Sequence, residues 1–283
     1  MRLHVGCAMW SHKAWPGRFL PQPAPAHERL RAYAGWCNAV EGNTTFYATP
    51  APETTASWAE QTGPDFRFLA KLPKVVTHER RLTGGDAELR TFLDAIAPLG
   101  PRAETLWIQL PGSFGPDDVP ALAAFLRRLP DAHRYAVEVR HRDFFAAPRA
   151  AARLEATLNA AAAEWVPFDT TGFFAHRPTS DAERDAWMKK PRMPLRAAAL
   201  TDRPIVRYLG RDDTDRTVEG WQRWVGVVAG WLREGRSPTV FIHTPDNADA
   251  PALARRFHDE VRTRVPELEP LPEPTPVEPL TLF

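Results

Sequence analysis

The chain has 283 residues, 43% of them hydrophobic, which is long for one ordinary domain but normal for an α/β barrel. Thirty-six Lys and Arg against 35 Asp and Glu leave a net charge of +1, so no global field draws in nucleic acid and any such binding must come from a local patch. No apolar run approaches the ~20 residues of a membrane span and MRLHVGCAMW lacks the apolar stretch of a signal peptide, so a cytoplasmic protein without a membrane partner is the default.

LHVGCA (3–8) reads as the first strand. The loop WSHKAWPGRFLP (10–21) follows, bringing Trp10 and Trp15 beside His12, Lys13 and Arg18. Aromatics among cations stack a base or sugar and hold a phosphate; the competing reading is a lid packed over the first helix, HERLRAYAGW (27–36). NAVEGN (38–43) is the second strand and ends in Glu41 and Asn43, followed at once by Phe46 and Tyr47 and a helix from Pro52. FRFLAK (66–71) ends in Lys71, with His78 shortly beyond, and TLWIQL (105–110) carries Gln109. YAVEVR (135–140) ends in Glu138 and Arg140, with His141 next. EWVPFD (164–169) gives Asp169, PIVRYL (204–209) gives Arg207, and TVFIHT (239–244) gives His243 ahead of Asn247. Helical patterns at 86–99, 118–129, 148–163, 218–235 and 249–264 separate these runs; 171–203 is the least regular stretch and is expected to hold an extended loop before its helix.

Strand starts recur about every 34 residues, one βα unit each time. Eight units predict a (β/α)8 barrel over residues 1–264; a doubly wound sheet would want a glycine fingerprint after the first strand, and none is present. PELEPLPEPTPVEPLTLF (266–283) has six prolines and predicts an extended Pro-rich tail over 265–283. Cys7, near the end of strand 1, and Cys37, just before strand 2, are expected to be reduced, buried and separated by several residues of rise at ~3.3 Å each, too far for a bridge.

Charge at the C-terminal ends of barrel strands marks a site, because loops and inward side chains converge there. Side chains alternate along a strand, so Glu41 shares a face with Asn43, and Glu138 with Arg140. The bland alternative is a self-neutralising network in which Glu41, Glu138 and Asp169 balance Lys71, Arg140 and Arg207. Three acids facing three bases argue against a metal, although His78, His141 and His243 could join a carboxylate; no metal and no cofactor are expected. Three fixed cations with several histidines suit an anion such as phosphate. No Walker loop and no GxSxG elbow occur.

VGCAMWSHKAWPGRF, VEGNTTFYATPAPETTASWAEQTGPDFRFLAKLPKVVTHERRL, IQLPGSFGP, VEVRHRDF and FIHTPDN together resemble the YecE-like family, also called domain of unknown function 72. The patterns E-x-N-x-T-F-Y, K-x-P-x-x-x-T-H and E-x-R-H carry the resemblance over most of residues 4–247. It implies a TIM-type barrel related in shape to the xylose-isomerase and endonuclease IV barrels, and it implies no activity. Glu41, Asn43, Phe46, Tyr47, Lys71, His78, Gln109, Glu138, Arg140, His141, Arg207 and Asn247 are its motif positions in this chain. His243 and Thr244 depart from an Asn pair found in many members.

Two functions are open on this reading. One is action on a phosphorylated or other anionic ligand held by Lys71, Arg140 and Arg207, with Glu41 or Glu138 as base and His78, His141 or His243 as proton partner. The other is non-catalytic binding of nucleic acid or nucleotide, using the same cations with Trp10 and Trp15; sugar-isomerase chemistry ranks behind both. The terminal PLTLF partly matches a peptide that bacterial proteins use on the DNA sliding clamp, through Leu280, Leu282 and Phe283, whereas Pro279 replaces a Gln; the competing reading is a tail packed on its own barrel.

Overall fold

The computed structural model describes residues 2–274. All eight expected strands form, and all pair in parallel. In chain order they are β1 (His4–Cys7), β2 (Ala39–Gly42), β3 (Arg67–Lys71), β4 (Thr105–Gln109), β5 (Arg134–Glu138), the pair β6 (Glu164–Trp165) and β7 (Phe168–Asp169), β8 (Ile205–Leu209) and β9 (Thr239–His243). The sixth expected strand is thus divided in two. Pro167 divides it, because it has no N–H to give to a ladder. Val166 N still bonds Val137 O at 2.9 Å toward β5, while Pro167 O accepts from Arg207 N at 3.0 Å toward β8.

Among the described residues the fold is therefore α/β with nine parallel strands in one sheet, ordered β6-β5-β4-β3-β2-β1-β9-β8-β7. Its two edge strands are joined by only Val166 and Pro167, so the sheet curls until its edges adjoin. Helices cover the convex face: α1 (Arg29–Ala34), α2 (Asn43–Tyr47), α3 (Pro52–Glu60), α4 (Asp86–Ile96), α5 (Val119–Leu126), α6 (Asp143–Ala146), α7 (Pro148–Ala160), α8 (Thr171–Phe174), α9 (Asp181–Lys189), α10 (Thr214–Arg233) and α11 (Ala250–Arg264). In α10, Trp221, Trp224, Val225, Val228, Trp231 and Leu232 recur at helical spacing and are buried, and Asp213 caps the start by accepting from Arg216 N. The irregular stretch is the reverse of the expectation: α8 and α9 come early, and the loop follows them at 190–204.

Cys7 and Cys37 are both free and buried, as expected, but their thiols lie close enough to influence each other, nearer than two separate strand positions suggest. Cys37 lies on the turn leaving α1, where its N–H bonds Tyr33 O, and the Tyr33 hydroxyl in turn accepts from Cys7 N and donates to Ala39 O. After α11 the chain stays on the protein: Val265, Leu268 and Leu271 are buried, Arg262 Nε holds Leu268 O at 3.1 Å, and Arg255 Nη2 holds the carbonyls of Leu271 and Pro272 at 3.1 and 2.7 Å. Leu280, Leu282 and Phe283 lie outside the described residues. No helix among the described residues is long and apolar enough to cross a membrane.

Candidate functional site

Alternation along each strand builds the site in two steps. Ala39, Leu69, Trp107, Ala136, Val166, Ile205 and Phe241 point into the concave side and form one buried apolar cluster. Two residues further along the same strands, on the same face, stand Glu41, Lys71, Gln109, Glu138, Phe168, Arg207 and His243. A polar layer therefore lies directly on an apolar floor, at the C-terminal strand ends. Trp107 spans the two, with the Lys71 ammonium 4.6 Å from its ring centroid. Phe168 takes the sixth position, its ring centroid 4.3 Å from the Arg207 guanidinium.

Glu41 is the hub, with 0% exposure. Its Oε1 accepts from Lys71 Nζ at 2.6 Å and stands 3.1 Å from Arg207 Nη2. Its Oε2 accepts from Arg207 Nε at 3.1 Å and from His243 Nε2 at 2.7 Å. Arg207 Nε is also 3.3 Å from His243 Nε2, but that nitrogen carries the proton given to Glu41, so the guanidinium bonds the carboxylate. Burial alone would raise the Glu41 carboxyl; Arg207, Lys71 and His243 outweigh it and hold the group well below the ordinary range. Burial lowers His243 to about 4, with Arg207 adding to the effect, so its imidazole is neutral at pH 7.

Lys71 uses all three of its protons, on Glu41 Oε1, Asn43 Oδ1 at 2.8 Å and Gln109 Oε1 at 2.9 Å. Burial brings its ammonium down to about 8, against the opposing pull of Glu41. Asn43 reaches the cluster from the first position of α2, not from an extended strand, and its Nδ2 donates to Ala8 O at 2.9 Å. Glu138, also 0% exposed, takes the Nε and Nη2 of Arg140 on Oε1, both at 2.7 Å. Its Oε2 is buried with no hydrogen-bond partner, and Arg207 Nη1 stays 3.7 Å away. Arg140 is the layer's outward member, its side chain 23% exposed.

The other expected residues divide. His78, on a π-turn (Val75–Glu79), is half-buried and bonds Thr77 Oγ1 through Nδ1 at 2.9 Å; burial and the Arg140 charge lower it to about 4. Its ring meets Phe46, centroids 5.0 Å apart, and Phe46 meets Tyr47, which is 79% exposed. His141 is half-buried; its Nδ1 accepts from Asp143 N at 3.3 Å, away from the Glu41 hub. Trp10 is partly buried edge-on against Trp58 and Phe68. Asn247 caps the turn after β9, its Oδ1 taking Thr244 N, with a positive φ of 52°.

Two assignments are corrected. Trp15 is fully buried, flat against Tyr33, with its indole N–H on Asn247 O at 3.0 Å, so it offers no face to a ligand. Asp169 points to the convex side: Oδ1 takes Thr171 N and Oγ1, and Oδ2 takes Trp224 Nε1 of α10 at 2.7 Å. It ties strand to helix and adds no charge to the layer. Lys190 was missed. It is half-buried, and its ammonium is lowered by partial burial and by the charges of Arg207 and Arg140, with Glu41 opposing them, so it lies within electrostatic reach of the layer. It follows α9 in the irregular loop, and only the Lys189–Lys190 run hinted at it.

The layer thus combines Lys71, Arg140 and Arg207 with Glu41 and Glu138, Lys190 lies within electrostatic reach, and its His243 is neutral. A cavity of about 940 Å³ lies elsewhere, at the start of β5 beside Leu129, Arg134 and Tyr135, whereas in the layer Arg140 keeps a side chain 23% exposed. Among the described residues no group of three or more His, Cys, Asp and Glu is arranged to hold a metal.

Comparison with known proteins agrees over the whole chain. The UPF0759 protein YecE of Escherichia coli, strains O157:H7 and K12, is 38% identical over 270 residues, covering 95% of this chain and 96% of each relative. Two crystal structures of a DUF72 family protein from Enterococcus faecalis V583 superpose with TM-scores of 0.69 and 0.68 at 16% and 18% identity, covering 99% and 95% of this chain and 100% and 98% of theirs. The family described as "Protein of unknown function DUF72" matches residues 4–277, and the chain belongs to that family.

Proposed function

We propose that the chain is a (β/α)8 TIM-type barrel, with Glu164–Asp169 acting as one interrupted sixth strand, and that its C-terminal mouth binds a phosphorylated or otherwise anionic small molecule. The observation that carries this reading is the charge imbalance. Lys71, Arg140 and Arg207, with the half-buried Lys190 within electrostatic reach, stand against only two carboxylates, Glu41 and Glu138, because Asp169 turns away and His243 is neutral. Buried positive charge in excess is costly unless a counter-ion completes it. A ligand anion seated over Arg140 and Lys190 supplies that counter-ion.

The free Glu138 Oε2 gives the same site an acceptor for a ligand hydroxyl. Chemistry on such a ligand would use Glu138 as the base, with neutral His78 as proton partner; Glu41, engaged by Lys71, Arg207 and His243, holds the cations in place. The nucleic-acid reading loses support with Trp15 in the core, which leaves Trp10 and Tyr47 as aromatics near the mouth. A sliding-clamp partner rests on the terminal sequence alone.

The test is a thermal-shift panel of inorganic phosphate, phosphosugars and nucleotides. Binding adds RT ln(1 + [L]/Kd) to stability, so a saturable rise in melting temperature for at least one phosphorylated compound is expected. No rise for any of them at millimolar concentration would remove the proposal.

A further inference from the structure

The opposite end of the curled sheet repeats the pattern with different chemistry. Two residues before the apolar floor, on the same inward face, stand Arg67, Thr105, Ile205's neighbour Arg203, and Thr239. His4 joins them from β1, two residues before inward Gly6, which pairs with Ala39 and Phe241. With Arg102 and Glu104 these side chains line a small cavity of about 20 Å³ whose charged members are half-buried. That is room for one water-sized particle and too little for phosphate or sulfate.

Two polar atoms at this cavity's wall are orphaned. His4 Nε2 and Arg67 Nε are buried and have no hydrogen-bond partner. His4 is itself only 5% exposed. Buried donors without partners are rare, and each calls for an explanation. The charges supply one. Among the described residues Glu104 is the only carboxylate on the wall, and it is shared by Arg203 and Arg134. Arg67 Nη1 meets only the carbonyls of Pro64 and Phe66, and Arg102 only those of Gly63 and Thr62. Among the described residues neither guanidinium has a carboxylate partner. Arg67, Arg102 and Arg203 against Glu104 leave the wall two positive charges in excess. Glu164 is not part of this wall; its carboxylate is held elsewhere by the N–H groups of Trp165, Leu200 and Thr201 and by the Thr201 hydroxyl. His4 stays uncharged, since burial and then Arg67, Arg2 and Arg203 bring it down to about 3, and its ring can donate one proton.

We infer that this cavity holds a single monatomic anion of chloride or bromide size, with Arg67 and His4 as its donors. A water would satisfy the two donors but would leave the charge excess untouched; an anion does both. The site is independent of the mouth, because the apolar floor separates them. Its role is to complete the closed end of the sheet.

The test has two arms. A crystal grown or soaked in bromide is expected to show an anomalous peak at Arg67 Nε and His4 Nε2; a peak only on the surface, or water there instead, overturns the inference. In solution, replacing gluconate by chloride at constant ionic strength is expected to raise the melting temperature saturably, and Arg67→Met to abolish most of that rise. His4→Gln serves if Arg67→Met does not fold, with a weakened rise expected. An equal rise in wild type and variant, or none in wild type, overturns it.

Discussion

Glu41→Gln removes the fully buried charge on which Lys71, Arg207 and His243 converge. The shape is kept, but one amide oxygen now serves three donors, and the new NH2 must face one of them. Removing one partner of a buried ion pair costs about 3–5 kcal/mol, because the remaining charge is stranded. The stranded group has an escape. Lys71 already titrates at about 8, so neutralising it at pH 7 costs about 1.4 kcal/mol per pH unit of gap, and less once Glu41 is gone. The loss at pH 7 is therefore expected near the lower bound, about 3 kcal/mol. It should shrink toward pH 9, where Lys71 is mostly neutral in the wild type too and only the Arg207 and His243 contacts are weakened. Urea unfolding of both proteins at pH 7 and pH 9, followed by tryptophan fluorescence, reads this directly. A loss under about 1 kcal/mol at pH 7, or the same loss at both pH values, refutes the hub role of Glu41.

Arg140→Gln keeps a donor for Glu138 Oε1 but removes the outward charge, so affinity for the anionic ligand should fall about 10- to 150-fold, the range of one charge-assisted bond, with a smaller change in urea midpoint; unchanged affinity in calorimetry counts against the mouth as the site. His243 titrates at about 4 in the folded chain and near 6.5 unfolded, so between those values the unfolded chain binds a proton that the native one does not. Stability should accordingly drop as pH falls from 6.5 to 4, by about 3 kcal/mol from His243, and a His243→Asn variant should lose much of that pH dependence in denaturation profiles. Gly6→Ala should destabilise by at least ~1–3 kcal/mol or prevent folding, because its Cβ would stand 2.0 Å from the backbone oxygen of Ala39, which cannot move aside without parting β1 from β2; a melting temperature equal to wild type would contradict the strand pairing.

Every strand was legible, because β-branched and aromatic residues in short runs at a steady spacing leave few other solutions. So was the convergence of Glu41, Lys71, Gln109, Glu138, Arg207 and His243, since period-two alternation carries the inward face two residues past the floor. What lay hidden depends on which way the chain turns after a strand. Asp169 sits at a strand end like the others, but Val166 and Phe168 hold the inward face, so alternation turns Asp169 to the convex side, where Trp224 offers an indole N–H. Trp15 reads as a stacking residue until Tyr33 and the Asn247 carbonyl are known to enclose it. Lys190 arrives from a loop with no periodicity to announce it.

The proposed ligand anion completes the positive excess of the polar layer. The most direct measurement is the titration of the Lys71 side chain by NMR in protein carrying labelled lysine, without and with saturating amounts of a phosphorylated compound that raises the melting temperature. Lys71 should titrate at about 8 in the free protein, and the bound anion should raise that value and shift the Lys190 signal with it. A ligand that binds while both lysines titrate as before would show that its site is elsewhere and would contradict the claim.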